Sequence, residues 1–118
     1  MEKLRSMYEE QQEHQKIDVY ESKRFSKALD NLNLSEDLQA IVDDEIDKII
    51  DNPEIGTRKK GDLSYLWVHK FKLHNQEVLL GYSWVENKLE LYLLSLGSHE
   101  NFYNEMKKRR KADLKIIN

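Results

Sequence analysis

At 118 residues, 39% of them hydrophobic and none of them cysteine, the chain supports one domain with one modest core. It excludes disulfide frameworks, thiolate metal sites and cysteine nucleophiles, which leaves His, carboxylates, Tyr, Lys and Arg to carry any chemistry. The formal net charge of −3 conceals an asymmetry: residues 1–54 carry 7 Lys/Arg against 15 Asp/Glu, a net of −8, whereas residues 55–118 carry 12 against 7, a net of +5. One half repels a polyanion and the other attracts it.

Residues 1–16 (MEKLRSMYEEQQEHQK) are rich in Glu, Gln and Lys, with only Leu4, Met7 and Tyr8 to bury, and are expected to form an N-terminal extension that is helical or disordered. Residues 17–118 are expected to form a single domain. Ile17 to Tyr20 has strand composition, and Ser22 offers an N-cap hydroxyl to a first helix whose apolar stripe is Phe25, Ala28, Leu29 and Leu32. After a break over Asn31 to Leu34, Ser35 caps a second helix. Leu38, Ile41, Val42, Ile46, Ile49 and Ile50 keep its helical spacing, Glu36 and Asp37 suit its positive end, and Asn52-Pro53 stops it. Two such helices make a hairpin with one apolar face, which needs a sheet to cover it.

Glu54 to Asp62 reads as a loop bearing Arg58, Lys59 and Lys60. From Leu63 the period changes to 2: Leu63, Tyr65, Trp67, His69, Phe71 and Leu73 are expected on one face, with Lys70 and Lys72 opposite. His74-Asn75-Gln76 and Glu86-Asn87-Lys88 are turns that separate a strand around Val78 to Trp84 from a last strand, Leu89 to Leu96. That last strand is apolar at nearly every position, as a central strand covered on both faces would be. Ser98 then caps a closing helix with Phe102, Tyr103 and Met106 inward and the basic run Lys107 to Lys111 after them. The fold class is α+β: an N-terminal helical hairpin packed on a small antiparallel-rich sheet, in the order β-α-α-β-β-β-α.

Three local sequences carry a family resemblance: Asn52-Pro53 before the glycine-bearing basic loop Gly56-Thr57-Arg58-Lys59-Lys60-Gly61, the apolar strand Val78-Leu79-Leu80-Gly81-Tyr82, and Gly97-Ser98-His99. With the order of elements, they resemble the RelE/ParE superfamily of bacterial type II toxins over about residues 17–111, and Gly97-Ser98-His99 is similar to the Gly-Ser-His of the YafQ branch, where that histidine is catalytic. The resemblance implies a RelE/ParE-like fold, a cognate antitoxin as partner, and one of two activities: cleavage of mRNA on the ribosome or inhibition of DNA gyrase. Two departures are visible. Ser83 follows Tyr82 where many ribonuclease members have arginine, and the chain is acidic overall.

Cleavage of RNA through its 2′-hydroxyl needs a proton acceptor, a proton donor and cations for the phosphate. His99 is the acid/base candidate, with Glu100 or Tyr103 as helper; its alternative is a surface residue at the start of the last helix. His69 is either the second proton carrier or a core histidine bonded to a neighbour, and His74 is a turn residue. Arg58, Lys59, Lys60, Lys70 and Lys72 are candidates for nucleic-acid binding, as are Lys107, Lys108, Arg109 and Arg110; solvated surface is the competing reading for all of them. No His pair has a third ligand at a recognised spacing, so neither metal nor cofactor is expected. No apolar run reaches the roughly 18 residues of a membrane span, and the N-terminus lacks the apolar core of a signal peptide. The expectation is a cytoplasmic mRNA endoribonuclease that inhibits translation, with a non-enzymatic gyrase inhibitor and a non-toxic binding module as rivals.

Overall fold

The computed structural model describes residues 2–6 and 16–118. Nine elements follow one another: β1 (Glu2–Ser6), β2 (Asp18–Glu21), α1 (Lys23–Asn31), α2 (Glu36–Asp51), β3 (Thr57–Arg58), β4 (Trp67–Leu73), β5 (Gln76–Val85), β6 (Glu90–Gly97) and α3 (His99–Ile117). The strands form one sheet in the order β1-β2-β6-β5-β4-β3, in which β2 and β6 run parallel and every other pair antiparallel. This is the expected α+β arrangement. β6 lies inside the sheet, and both Leu93 and Leu94, on opposite faces, are fully buried.

The helix starts follow from local chemistry. The Ser22 hydroxyl accepts from Phe25 N at 3.0 Å and donates to Leu94 O at 2.9 Å, so one side chain both caps α1 and ties it to the central strand. Ser35 accepts from Leu38 N at 3.3 Å at the start of α2. The α1–α2 hairpin covers one face of the sheet, where Phe25, Val42, Ile46, Ile49 and Ile50 meet Phe71, Leu80, Tyr82, Leu91 and Leu93. On the other face α3 lays Phe102 and Met106 over Leu66, Val68, Leu79, Tyr92 and Leu94. A bulge opposite the Gly81–Tyr82 step inserts one residue into β6, so that Leu93 and Leu96, three apart, face the hairpin together.

Two expectations change. Over Glu2–Ser6 the helical or disordered extension gives way to β1, paired antiparallel with β2; the rest of residues 1–16, apart from Lys16, lies outside the described residues. The free edge of β2 offers backbone donors and acceptors that a neighbouring segment pairs irrespective of its composition. The alternation expected from Leu63 begins only at Trp67, because Gly61 takes φ +67° and a 3₁₀ turn runs Gly61–Leu63. Leu63 and Tyr65 therefore pack on the α3 face, opposite Trp67, Phe71 and Leu73. Among the described residues, no helix is long and apolar enough to cross a membrane.

Candidate nucleic-acid interface

The three sequence motifs fall into two places. Tyr82 Oη donates to Pro53 O at 2.6 Å and accepts from Gly56 N at 3.0 Å, so the Asn-Pro loop and the strand tyrosine form one anchor. Gly56 has to be glycine there, since a Cβ would stand 2.7 Å from Val68 O and 2.9 Å from that hydroxyl. Burial pushes the Tyr82 phenol up to about 12, against the lowering effect of the Gly56 N–H. This anchor is architectural: it fixes the loop that launches β3.

The third motif opens α3. Ser98 occupies the N-cap with extended φ −78° and ψ 161°, but unlike Ser22 and Ser35 its hydroxyl makes no cap hydrogen bond. His99 is exposed, and its ring lies edge-on to Tyr103, centroids 5.9 Å apart at 76°. Tyr103 is in turn held edge-on by buried Phe102 at 5.2 Å. Phe102 settles on the sheet because position 81 lacks a side chain; a Cβ on Gly81 would stand 2.8 Å from the Phe102 ring. Gly81 thus sets the height of α3 above the strands and, through Phe102, the place of Tyr103 and His99.

Cations gather round this corner. Lys59 Nζ sits 5.1 Å from the centre of the Tyr103 ring, a cation–π contact that fixes the amine beside the His99–Tyr103 pair. Lys70 pairs in register with Leu79, and Leu79 with Gly97, so Lys70 stands two strand spacings, about 10 Å, from the glycine that leads into His99. Lys70 and Lys72 are exposed and share the α3 face with Val68 by alternation. Lys60 is exposed at the following turn, and Glu100 is exposed in the first turn of α3, where the helix dipole favours a carboxylate.

Other candidates stand elsewhere. His69 lies on the hairpin face, where its Nε2 and Glu45 Oε1 of α2 are 2.7 Å apart and its ring stacks on Phe71. The sheet separates it from His99, so the two imidazoles do not form an acid/base pair; strand parity decides this, since His69 follows Trp67 and precedes Phe71 on one face. Although burial alone would raise it, hydrogen bonds from Lys48 and His69 hold the Glu45 carboxyl below its ordinary range. Arg58 faces the same side as His69, with its guanidinium carbon 6.0 Å from the centre of the Trp67 ring and its Nε donating to Ser64 O at 3.0 Å. Arg110 Nε donates to Asp62 O at 2.7 Å and ties α3 to the loop, while Lys107 and Lys108 are exposed and Arg109 borders a groove between α1 and α3.

A buried ion pair went unread in the sequence. Asp113, fully buried on α3, accepts from Arg24 Nη2 of α1 at 2.8 Å. Burial raises the Asp113 carboxyl against the lowering pull of Arg24, and burial together with Asp113 pushes the neighbouring Tyr65 phenol up to about 12. The signal available was one acid on the same helix stripe as Phe102 and Met106, inside an otherwise basic segment. Among the described residues, no three His, Cys, Asp or Glu side chains stand together as a metal site.

The fold has counterparts. Residues 19–107 match the family model of the ParE-like toxin of type II bacterial toxin-antitoxin systems. Among solved structures, the chain is similar to the E. coli toxin RelE in the intact RelBE toxin-antitoxin complex, at 18% identity and a TM-score of 0.53, covering 70% of this chain and 95% of that one. It is also similar to a double variant of RelE in the free state, at 20% identity and 0.55 over 77% and 94%, and to the same variant bound to an antitoxin RelB peptide, at 19% and 0.52 over 74% and 90%. No curated protein sequence matches. The match spans α1, α2, the meander and the first half of α3, and with it the chain belongs to the ParE-like toxin family of type II bacterial toxin-antitoxin systems.

Proposed function

We propose that this toxin acts as a metal-independent endoribonuclease on mRNA at the ribosome, and that a cognate antitoxin covers the α3 corner when the toxin is held inactive. The observation that carries this reading is the shared contact at Tyr103, whose ring meets exposed His99 on one side and the Lys59 amine on another. His99 takes the proton from the 2′-hydroxyl, the oxygen attacks the adjacent phosphorus, and Tyr103 supplies the proton to the departing 5′-oxygen. The products are a 2′,3′-cyclic phosphate and a 5′-hydroxyl. Lys59 and Lys70 hold the phosphate and offset the charge that develops on it. Lys60, Lys72, Lys107 and Lys108 extend the positive field along the exposed surface and steer the polyanion.

The solved RelE complexes with RelB support an antitoxin as partner, and a polypeptide that masks a cationic corner suits the charge of residues 55–118. The site of action is then the cytoplasm, where ribosomes are. The test is primer extension on ribosome-bound mRNA after induction: wild-type toxin produces internal breaks, and His99→Ala with unchanged circular dichroism does not. Full cleavage by His99→Ala would remove the imidazole from the mechanism.

A second reading is gyrase inhibition without catalysis. It is favoured by Ser83, which is buried and leaves no cation on the strand after Tyr82. Loss of plasmid supercoiling on induction, with mRNA intact, would establish it over the first.

A further inference from the structure

The two tryptophans of the chain, Trp67 and Trp84, line one open groove of about 1040 Å³ at the end of the sheet where β4 begins and β5 ends. They belong to the hairpin face, away from His99. Trp67 pairs with Tyr82 in register, so Trp84, two residues further on, is its diagonal neighbour on the same face. Both indoles are half-buried, and Trp67 is stacked on Tyr82 at 6.3 Å and 20°, which fixes its plane. Arg58 lies over Trp67, and its bond to Ser64 O fixes the guanidinium as well. Glu54 and Glu86 stand at the rim.

Arg58 and Lys59 are consecutive, yet they serve opposite faces: Arg58 reaches Trp67 and Lys59 reaches Tyr103. The short edge strand β3 therefore presents Arg58 to the aromatic groove, and the residue that follows it, Lys59, turns to the His99 corner. A single strand of RNA that crosses this edge meets a cation on each side of it. Resting on the endoribonuclease reading, we propose that the Trp67–Trp84 groove is a base-stacking subsite for the same single-stranded RNA, a few nucleotides from the bond cut at His99.

The chemistry favours a base over other occupants. Unpaired RNA bases stack on aromatic rings and guanidinium planes, and the groove offers both, already fixed. Its rim carboxylates disfavour a phosphate inside the groove but accept from the exocyclic amines of a base. Arg58 already holds the cation position on the Trp67 ring, which leaves the outer face of its guanidinium plane and the Trp84 ring to a neutral base.

Because these are the only tryptophans in the sequence, their emission reports on this groove. The experiment titrates the full-length protein with an uncleavable 2′-O-methyl RNA octamer carrying a 5′ fluorophore, reading tryptophan emission and probe anisotropy together. The expected result is saturable quenching that tracks the anisotropy, binding about tenfold weaker for Trp84→Ala, and recovery in Trp84→Phe, which keeps a ring for stacking and packing. Arg58→Ala, on the surface, should weaken binding about threefold with an unchanged melting temperature. Binding without quenching overturns the subsite, as does the absence of any binding; mRNA breaks on ribosomes, measured separately, decide the endoribonuclease reading in either case. Quenching by an arginine-rich peptide and not by the octamer would also overturn the proposal and assign the groove to a protein.

Discussion

His69 and His99 stand on opposite faces of the sheet, which treat them differently. On the hairpin face, His69 is enclosed by α2, paired with Glu45 and stacked on Phe71. On the α3 face a single helix covers less of the sheet, and His99 stands exposed at its start beside Tyr103, with Lys59 over the same ring and Lys70 in the neighbouring register row. The same residue type is thus a packing element under the hairpin and a candidate proton carrier at the exposed start of α3.

The contrast is broken most directly at His99. Replacing it with alanine should lower mRNA cleavage by about 10²–10⁴-fold, the usual contribution of a positioned acid or base, with no change in melting temperature. His69→Gln should leave cleavage within about twofold of wild type and act on stability instead, because a hydrogen-bonded half-buried side chain contributes about 1 kcal/mol. If His69→Gln abolished cleavage and His99→Ala did not, the assignment of roles to the two faces would be reversed.

The next largest effect concerns what holds α3 in place. Arg24→Ala leaves Asp113 buried without its cation, and since Arg24 is itself partly exposed the expected loss is about 2–3 kcal/mol, read from urea unfolding. Asp113→Asn removes the unpaired charge and should restore part of that loss in the Arg24→Ala background. Gly81→Ala forces Phe102 off the sheet and should destabilise by about 1–3 kcal/mol, with a loss of cleavage that follows from the shift of Tyr103 and His99. Tyr82→Phe leaves Gly56 N and Pro53 O without their partner and should cost about 1–2 kcal/mol.

The smallest effect sharpens the hairpin face through pH. The folded-state pKa of Glu45 is lowered, so its stabilising contribution is present above its ordinary value of 4.5 and is lost as pH falls through the depressed value. Glu45→Gln should therefore flatten the acid limb of the stability profile measured by thermal melts across pH 3–6. An unchanged limb would show that the Glu45 interactions with His69 and Lys48 carry no net linkage.

Much of this molecule was legible in one dimension. Helix starts at Ser22 and Ser35, the stop at Asn52-Pro53, the turns at His74-Asn75 and Glu86 to Lys88 and the doubly buried β6 follow from capping chemistry, fixed φ and hydrophobic period, all of which act within a few residues. The motif residues at His99 and Tyr103 were legible too, four positions apart on one helix. Other features depended on contacts between distant segments. The turn at Gly61 shifted the face of Leu63 and Tyr65, the pairing of β1 with β2 needed an edge formed by other strands, and strand parity sent His69 and Arg58 away from His99. Asp113 meets Arg24 across 89 positions of sequence, and Gly81 matters because Phe102 arrives there from another element. Propensity and period fix what each segment becomes; which side chains share a face, and hence a chemistry, is settled only when register and helix height bring remote residues to within a few ångströms.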